Sequence, residues 1–312
     1  MLKRISTQQL AVGMFIEAVE GTLSNQKISQ KHRFLLQREE AVQQLKRSGA
    51  ESIVINTAKG TDVGLSTHAA PAKPDTSPAA VAAVTQSVRS AADAIAETFS
   101  VAENGGPVLF EGMTEAADKI ADAVQNNPAV FIGVTRLKSK DETTFVHSVS
   151  VSGLMVLFGN YLGLKKETVK LLGVSGLLHD IGKVEIPSSI LNKTESLDAR
   201  EREIINMHPV FGRDILSRDE EMPEMVLDVC FNHHERVDGG GYPNGRVGSE
   251  LSLYARLAAI CDVYDAVTSV RPYKKPWTAN DALTWMLRRE GHFDMQLLKK
   301  FALCISASLP RA

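Results

Sequence analysis

The sequence predicts a mainly α-helical protein that begins with a small α+β module. Two observations support this fold class. Residues 1–59 alternate short apolar and polar runs, as half-buried strands do, whereas nearly the whole chain after Thr143 has the pattern of helices. With 312 residues, 44% of them hydrophobic, the chain is long enough for two domains and a buried core.

The N-terminal module is predicted from two strands and a helix. Residues 10–16 and 52–55 have strand composition, and between them residues 38–47 have Val42 and Leu45 at helical spacing. Residues 60–80 are rich in Thr, Ala, Pro, Gly and Ser and lack periodicity, so they are predicted to form a flexible linker after the module at 1–59.

The remainder of the chain is predicted to be helical. Residues 81–139 are Ala-rich and would form connecting helices, which the run Gly105-Gly106-Pro107 interrupts. Residues 140–312 form the second domain. In it an apolar stripe over 171–178 ends in a His-Asp pair, residues 225–234 end in a His pair, and residues 253–270 carry Asp262. Side chains from separate helices would therefore face one interior, as in the metal sites of helical bundles.

Composition and charge argue against several classes of function. The net charge of −2 creates no global basic field, so long nucleic acid is not an expected partner. No apolar run suits a signal peptide or a membrane span. The cysteines Cys230, Cys261 and Cys304 are scattered, which fits a reducing cytoplasm, and their apolar flanks favour core packing over metal ligation.

Five of the eight histidines lie between residues 147 and 234, and two aspartates accompany them. Neutral imidazoles and carboxylates are ligands for divalent iron, manganese and zinc. The set exceeds what one ion needs, so it predicts a centre with at least two ions and a bridging carboxylate, an arrangement suited to displacement at phosphorus. The candidate ligands are His147, His179, Asp180, His208, His233, His234 and Asp262.

Single elements of this pattern also have ordinary explanations. His147 alone fits a satisfied core histidine, and His208 alone fits a surface residue. Two longer runs are more specific. In the first, residues 179–183, Gly182 would permit a sharp turn at a helix end and Lys183 would be a candidate phosphate contact. In the second, residues 233–243, three glycines before Tyr242 predict a tight loop after the histidine pair.

These runs resemble the HD-GYP family of cyclic di-GMP phosphodiesterases, which belongs to the HD superfamily of metal-dependent phosphohydrolases. The resemblance covers residues 140–303. Residues 1–130 resemble the uncharacterised N-terminal domain that often precedes HD-GYP domains in bacteria. The motifs that carry the resemblance are His179-Asp180, His233-His234-Glu235 and Asp238-Gly239-x-Gly241-Tyr242-Pro243.

The resemblance implies an all-helical HD-type phosphohydrolase domain with two divalent metal ions, iron or manganese, that activate a water for attack on the phosphodiester. Asp180 would bridge the two ions. The first ion would be bound by His147, His179, Asp180 and Asp262. The second ion would be bound by Asp180, His208, His233 and His234.

The resemblance also implies contacts with substrate and partners. Lys183 would contact the scissile phosphate, which makes it a catalytic residue together with Asp180. Arg271 and Lys274 would bind the ligand's phosphates. The interaction loop, defined as Gly241, Tyr242 and Pro243, would contact diguanylate cyclase (GGDEF) domains.

The chain departs from the family pattern at three places. Thr143 stands where some members have a glutamate that helps to hold a third metal, and Glu142 is one residue, about 100° of helix rotation, out of register. Two metals are therefore expected rather than three. Val270 replaces an acidic residue. Residues 302–312 do not match, so the domain is expected to be C-terminally short, with a weakening of either the closing helices or the substrate cleft.

Three functions remain open from the sequence. The leading one is hydrolysis of cyclic di-GMP to pGpG, GMP or both. The second is a catalytically weak interaction module that binds cyclic di-GMP or diguanylate cyclase domains. The third is hydrolysis of another nucleotide or phosphoester. The complete ligand set disfavours a pure scaffold, the interaction loop disfavours a generic phosphohydrolase, and the N-terminal module is a candidate sensing or dimerising unit.

Overall fold

The computed structural model describes residues 2–23, 26–36, 39–57, 59–60, 75–137, 143–270 and 276–309. Its contacts divide the chain into two units, Met1–Ala72 and Lys73–Ala312. A mainly helical chain with a small α+β N-terminal unit is confirmed. The predicted domain limits remain predictions.

The N-terminal unit has an antiparallel sheet of order β1-β4-β2-β3 and one helix. Its elements are β1 (Leu2–Ile5), β2 (Phe15–Leu23), β3 (Gln26–Leu35), α1 (Glu39–Arg47) and β4 (Ser52–Asn56). Along β4, the fully buried Ile53 and Ile55 alternate with partly exposed neighbours. Both belong to the apolar cluster that contains Val42 of α1. The strand predicted over 10–16 begins only at Phe15, because residues 11–14 form a turn closed by the bond from Met14 N to Ala11 O (3.3 Å).

The second unit is helical in the part of the chain that the structure describes. Its helices are α2 (Pro78–Glu103), α3 (Phe110–Asn126), α4 (Pro128–Arg136), α5 (Thr143–Tyr161), α6 (Lys166–Leu178), α7 (Ser188–Leu191), α8 (Ala199–Ile205), α9 (His208–Leu216), α10 (Glu224–Asn232), α11 (Leu253–Thr268), α12 (Ala279–Leu287) and α13 (Met295–Ser308). A short 3-10 helix, Ile181–Glu185, follows α6. Among the described helices, none combines the length and the apolar character needed to cross a bilayer.

Helix α2 begins inside the segment that was predicted to be a linker. Ser77 accepts a hydrogen bond from Ala80 N (3.2 Å) and so caps the helix, and Pro78 occupies its first turn. Residues 61–74, the middle of the predicted linker, lie outside the described residues.

Helices α2 to α4, which were predicted to be connectors, share a core with the helices that bear the candidate ligands. One apolar cluster contains buried side chains from α2 to α6, α9 and α10, from Val84 of α2 to Cys230 of α10. Phe99 of α2 meets Phe145 of α5 edge to face, with ring centroids 5.6 Å apart. The ligand-bearing helices are therefore packed against α2.

The C-terminal helix α13 corrects one expectation. Phe301, Cys304 and Ile305 are buried, and the Phe301 ring packs edge to face on Phe158 of α5 at 5.2 Å. Residues 302–308 are therefore helical and close the core, so the predicted weakening of the closing helices is wrong for these residues. All three cysteines are buried thiols in the apolar clusters.

Close backbone packing, rather than a sharp turn, explains Gly182. Its φ does not lie in the left-handed region. A Cβ at this position would lie 2.0 Å from His208 O and 2.3 Å from Gly212 N. The predicted reason for this glycine is therefore wrong: it lets the 3-10 helix lie directly on the start of α9, which brings His208 close to Asp180.

A fragment of residues 73–312 should fold cooperatively without the N-terminal unit, because it retains both large apolar clusters. A fragment of residues 105–312 is the matched control. It lacks α2, whose large buried side chains Val84, Val88, Ile95 and Phe99, at about 1.5–3 kcal/mol each, amount to a large share of a typical stability of about 5–15 kcal/mol. Thermal unfolding by circular dichroism should show a transition only in the longer fragment. An insoluble 73–312 fragment would contradict this division of the chain.

Gly182→Ala should destabilise the protein by about 1–3 kcal/mol or more, because the obstructing atoms are backbone and cannot rotate away. Gly112→Ala in α3 is the control. A Cβ there has nothing within 4 Å, and alanine has the higher helix propensity, by about 1 kcal/mol. Denaturant unfolding should therefore show a loss for the first variant and no loss for the second. Equal stabilities would refute the packing explanation.

Candidate metal centre

The seven candidate ligands come from separate elements that meet at one point of the second unit. They are His147 on α5, His179 at the end of α6, Asp180 directly after it, His208 at the start of α9, His233 and His234 after α10, and Asp262 on α11. His179, Asp180, His208 and His233 are buried, whereas the side chains of His147 and His234 keep 13% and 25% exposure. The exposed edges mark the side from which a ligand can enter.

The geometry forms two groups that share Asp180. One consists of His147, His179 and Asp180, and the other of Asp180, His208, His233 and His234; within each, the potential ligand atoms lie within 4.8 Å of one another. Asp180 Oδ2 is 3.3 Å from His179 Nε2, and its Oδ1 is 3.2 Å from His208 Nε2. Asp262 adjoins both groups, 3.1 Å from His147 Nε2 and 3.9 Å from His234 Nδ1. The structure thus brings all seven predicted ligands together.

Hydrogen bonds to the backbone fix the tautomer of three histidines. His179, His208 and His233 each have Nδ1 2.8 Å from the carbonyl oxygen of the residue three positions earlier. A carbonyl only accepts, so Nδ1 carries the proton and Nε2 of the neutral ring has a lone pair. These Nε2 atoms all face Asp180, and those of His208 and His233 lie 3.2 Å apart.

Acceptor atoms therefore face one another at a largely buried site. His179 Nε2 and Asp180 Oδ1 have no hydrogen-bond partner within the described chain, although Oδ1 lies close to His208 Nε2. Buried polar atoms without a partner are costly, and a cation between them removes that cost. Imidazole nitrogens together with carboxylate oxygens fit a divalent transition metal.

The protonation states of the candidate ligands suit metal binding, with one exception. Burial raises the pKa of Asp180 and the adjacent Lys183 ammonium lowers it, and the net effect holds the pKa well below its usual value. Burial lowers the pKa of His208 and lowers that of His234 strongly. Burial also lowers the pKa of His147, but hydrogen bonds with Asp262 and Asp265 overcome it and raise the value to about 8. At pH 7 His147 is therefore mainly in its charged form, with a proton on both ring nitrogens.

Of the predicted substrate contacts, the structure describes Lys183. Its Nζ lies 2.5 Å from Asp180 Oδ2, and its side chain is one quarter exposed. Lys183 therefore lies next to the centre, on the side that is open to solvent. Arg271 and Lys274 lie outside the described residues, as does Glu142, which bears on the number of metals.

The interaction loop is tied to the histidine pair. The Tyr242 ring stacks on His234, with centroids 4.7 Å apart and an interplanar angle of 27°. A Cβ on Gly241 would lie 2.4 Å from Arg236 N, so glycine is required there for close approach. Glu235 is buried and accepts backbone hydrogen bonds from Asn244 (2.7 Å) and Arg246 (3.0 Å), which close the loop around it.

Sequence reasoning missed two residues of this region. Glu235 was noted only as part of a motif, although a charged residue directly after two ligands is a signal for an ordered loop. Asp265 has Oδ2 2.6 Å from His147 Nδ1. Its signal was a second aspartate three positions after Asp262 on an otherwise apolar helix, which places both carboxylates on one face.

Known proteins resemble the chain over both units. The HD domain family matches residues 120–297, more than half of the chain, and the domain of unknown function DUF3391 matches residues 2–136. Cyclic di-GMP phosphodiesterase PA4108 of Pseudomonas aeruginosa is 37% identical over 318 residues, which cover 98% of this chain and 77% of that protein. The 3'3'-cGAMP-specific phosphodiesterase 1 of Vibrio cholerae is 37% identical over 162 residues, 51% of this chain and 37% of that protein.

Among solved structures, Bd1817, an HDG"Y"P protein from Bdellovibrio bacteriovorus, shares the fold. Its TM-score is 0.62 at 17% identity, with 98% of this chain and 100% of that chain covered. The family match, the relative aligned along almost the whole chain and the motif residues agree. The chain belongs to the HD domain family, as one of its HD-GYP proteins.

Proposed function

We propose that this protein is a metal-dependent phosphodiesterase that hydrolyses cyclic di-GMP to pGpG, GMP or both. The observation that carries the proposal is the set of three imidazole Nε2 atoms, with their tautomers fixed by the backbone, that face the shared carboxylate of Asp180. The substrate is supported by the relative that aligns with 98% of the chain.

The proposed cofactors are two divalent ions, iron or manganese. When bound, such ions supply Lewis acidity and an activated water for displacement at phosphorus. Asp180 lies in both ligand groups and would bridge the ions. One ion would be held by His147, His179, Asp180 and Asp262, and the other by Asp180, His208, His233 and His234.

The proposed substrate contacts begin with Lys183. Its ammonium group lies next to the centre and at its open side, so it can exchange the Asp180 carboxylate for a phosphate oxygen. Arg271 and Lys274 complete the proposed phosphate contacts, since a guanidinium fork matches phosphate oxygens.

A second substrate deserves the same assay. One relative with 37% identity is named a 3'3'-cGAMP-specific phosphodiesterase. Both cyclic dinucleotides have the same phosphodiester linkage to attack, so the chemistry proposed above is common to them. Selectivity between the two substrates would therefore depend on contacts with their bases.

The proposal extends to location and partners. The chain would act in the cytoplasm, a compartment that suits its three buried thiols. The interaction loop would contact diguanylate cyclase domains, supported by the partial exposure of Tyr242 and Pro243. The N-terminal unit would serve in sensing or in formation of a homodimer.

Asp180→Ala should abolish turnover and empty the centre, whereas His234→Ala should mainly remove one metal. The reason is that Asp180 is common to both ligand groups and His234 is not. Asp118→Ala, on the exposed surface of α3, is the control and should retain both metals. Protein purified without oxygen is tested for metal content and for hydrolysis of cyclic di-GMP and 3'3'-cGAMP. A fully loaded wild-type protein that hydrolyses neither would favour the interaction module.

Metal binding at pH 7 should release about one proton from His147, because its pKa is raised to about 8 and a ligand imidazole must be neutral. The release should disappear above pH 9, and the apparent metal affinity should rise with pH up to about 8. Mn²⁺ titration calorimetry in buffers of different ionisation enthalpy measures this. His147→Gln should release one proton fewer than wild type, and His292→Gln, outside the centre, should match wild type. An unchanged release in His147→Gln would disprove the assignment.

A further inference from the structure

His147 differs from His179, His208 and His233 in the kind of group that accepts the hydrogen bond from its Nδ1. His179 and His233 cap the ends of α6 and α10, and His208 follows the end of α8. The last carbonyls of a helix have no partner within the helix, so they are free to accept from Nδ1. His147 lies inside α5, where the helix itself uses the backbone carbonyls.

A side chain supplies the acceptor that the backbone of α5 cannot. Asp265 of α11 is buried and has Oδ2 2.6 Å from His147 Nδ1. Its other oxygen, Oδ1, accepts hydrogen bonds from Ser150 Oγ (2.5 Å) and Ser269 Oγ (3.0 Å). Two hydroxyl donors on one oxygen orient the carboxylate and leave the second oxygen directed at the ring. His147 Nε2 then faces Asp262 Oδ1 (3.1 Å).

We propose that Asp265 is a positioning residue that keeps the proton of neutral His147 on Nδ1, so that Nε2 is free to bind metal. The inference rests on the proposed metal centre. A carboxylate behind a ligand imidazole fixes its tautomer and its orientation, and loss of such a partner typically costs 10- to 100-fold in metal affinity. Without Asp265, the Nε2–H tautomer is favoured, because its proton reaches Asp262 and Nδ1 is left without an acceptor.

The direct test is the tautomer of His147 in the metal-free protein. Long-range ¹H–¹⁵N spectra are recorded at pH 9.5, where His147 is neutral, and its signal is assigned by its absence in His147→Gln. Wild type should show the Nδ1–H form. Asp265→Leu, of similar size but with no acceptor, should show the Nε2–H form. These spectra depend on neither substrate nor metal, so failure of the proposed function leaves this test standing.

Mn²⁺ affinity is the second readout. Asp265→Leu should weaken binding at one of two sites by about 10- to 100-fold. The matched control is Asp228→Leu, which removes another carboxylate that binds Ser252 Oγ (2.5 Å) and Asn232 Nδ2 (2.8 Å) but contacts none of the seven ligands. The control should keep both the Nδ1–H form and the affinity.

Two outcomes would overturn the proposal. The first is an Nε2–H form of His147 in wild type, which needs no variant and so holds even if Asp265→Leu fails to fold. The second is an Asp265→Leu protein that retains the Nδ1–H form, because Asp265 would then act only in packing.

Discussion

The structure of the second unit depends on one buried charge, the carboxylate of Asp180. It is 1% exposed and lies among imidazole rings, so it has lost almost all of its hydration. Burial by itself would raise its pKa, and the adjacent Lys183 ammonium favours the ionised form. The packing serves this arrangement: α9 is pressed against the 3-10 helix at Gly182, and the apolar clusters around α5, α6 and α10 hold the rings in place. Without a cation, the centre is a set of acceptors brought together at a cost that the rest of the core must offset.

Helix ends explain how a mainly apolar interior can hold so many polar rings. Each of three candidate ligands uses a terminal carbonyl that would otherwise lack a partner within its helix, so one hydrogen bond satisfies the helix and orients the ring. His147, in the middle of α5, needs Asp265, which in turn needs two hydroxyls.

The sequence predicted the helical unit, and the seven candidate ligands that it singled out lie together in the structure. Both are encoded in local spacing: a His-Asp pair after an apolar stripe, and a His pair before a glycine-rich loop. It failed where contacts are distant along the chain. Strand β1 is short and strand β3 is largely polar, so neither has a clear local pattern. They are stabilised by pairing, β1 with β4 and β3 with β2. Asp265 finds Ser150 on another helix, 115 residues away in sequence. The role of α2 in the shared core and the packing reason for Gly182 likewise depend on neighbours that no local pattern reveals.

The candidate ligands lie between residues 147 and 262 and come from α5, α6, α9, α10 and α11, which are spread along the chain. Contacts of such sequence separation require large loops to close, so the centre depends on the folded chain and does not exist in the unfolded chain. An ion that binds only the native chain shifts the folding equilibrium by mass action, by about 2.7 kcal/mol when its free concentration is 100 times its dissociation constant. If the proposed ions bind, the abundance of folded protein in a cell would be tied to metal supply, even in the complete absence of substrate.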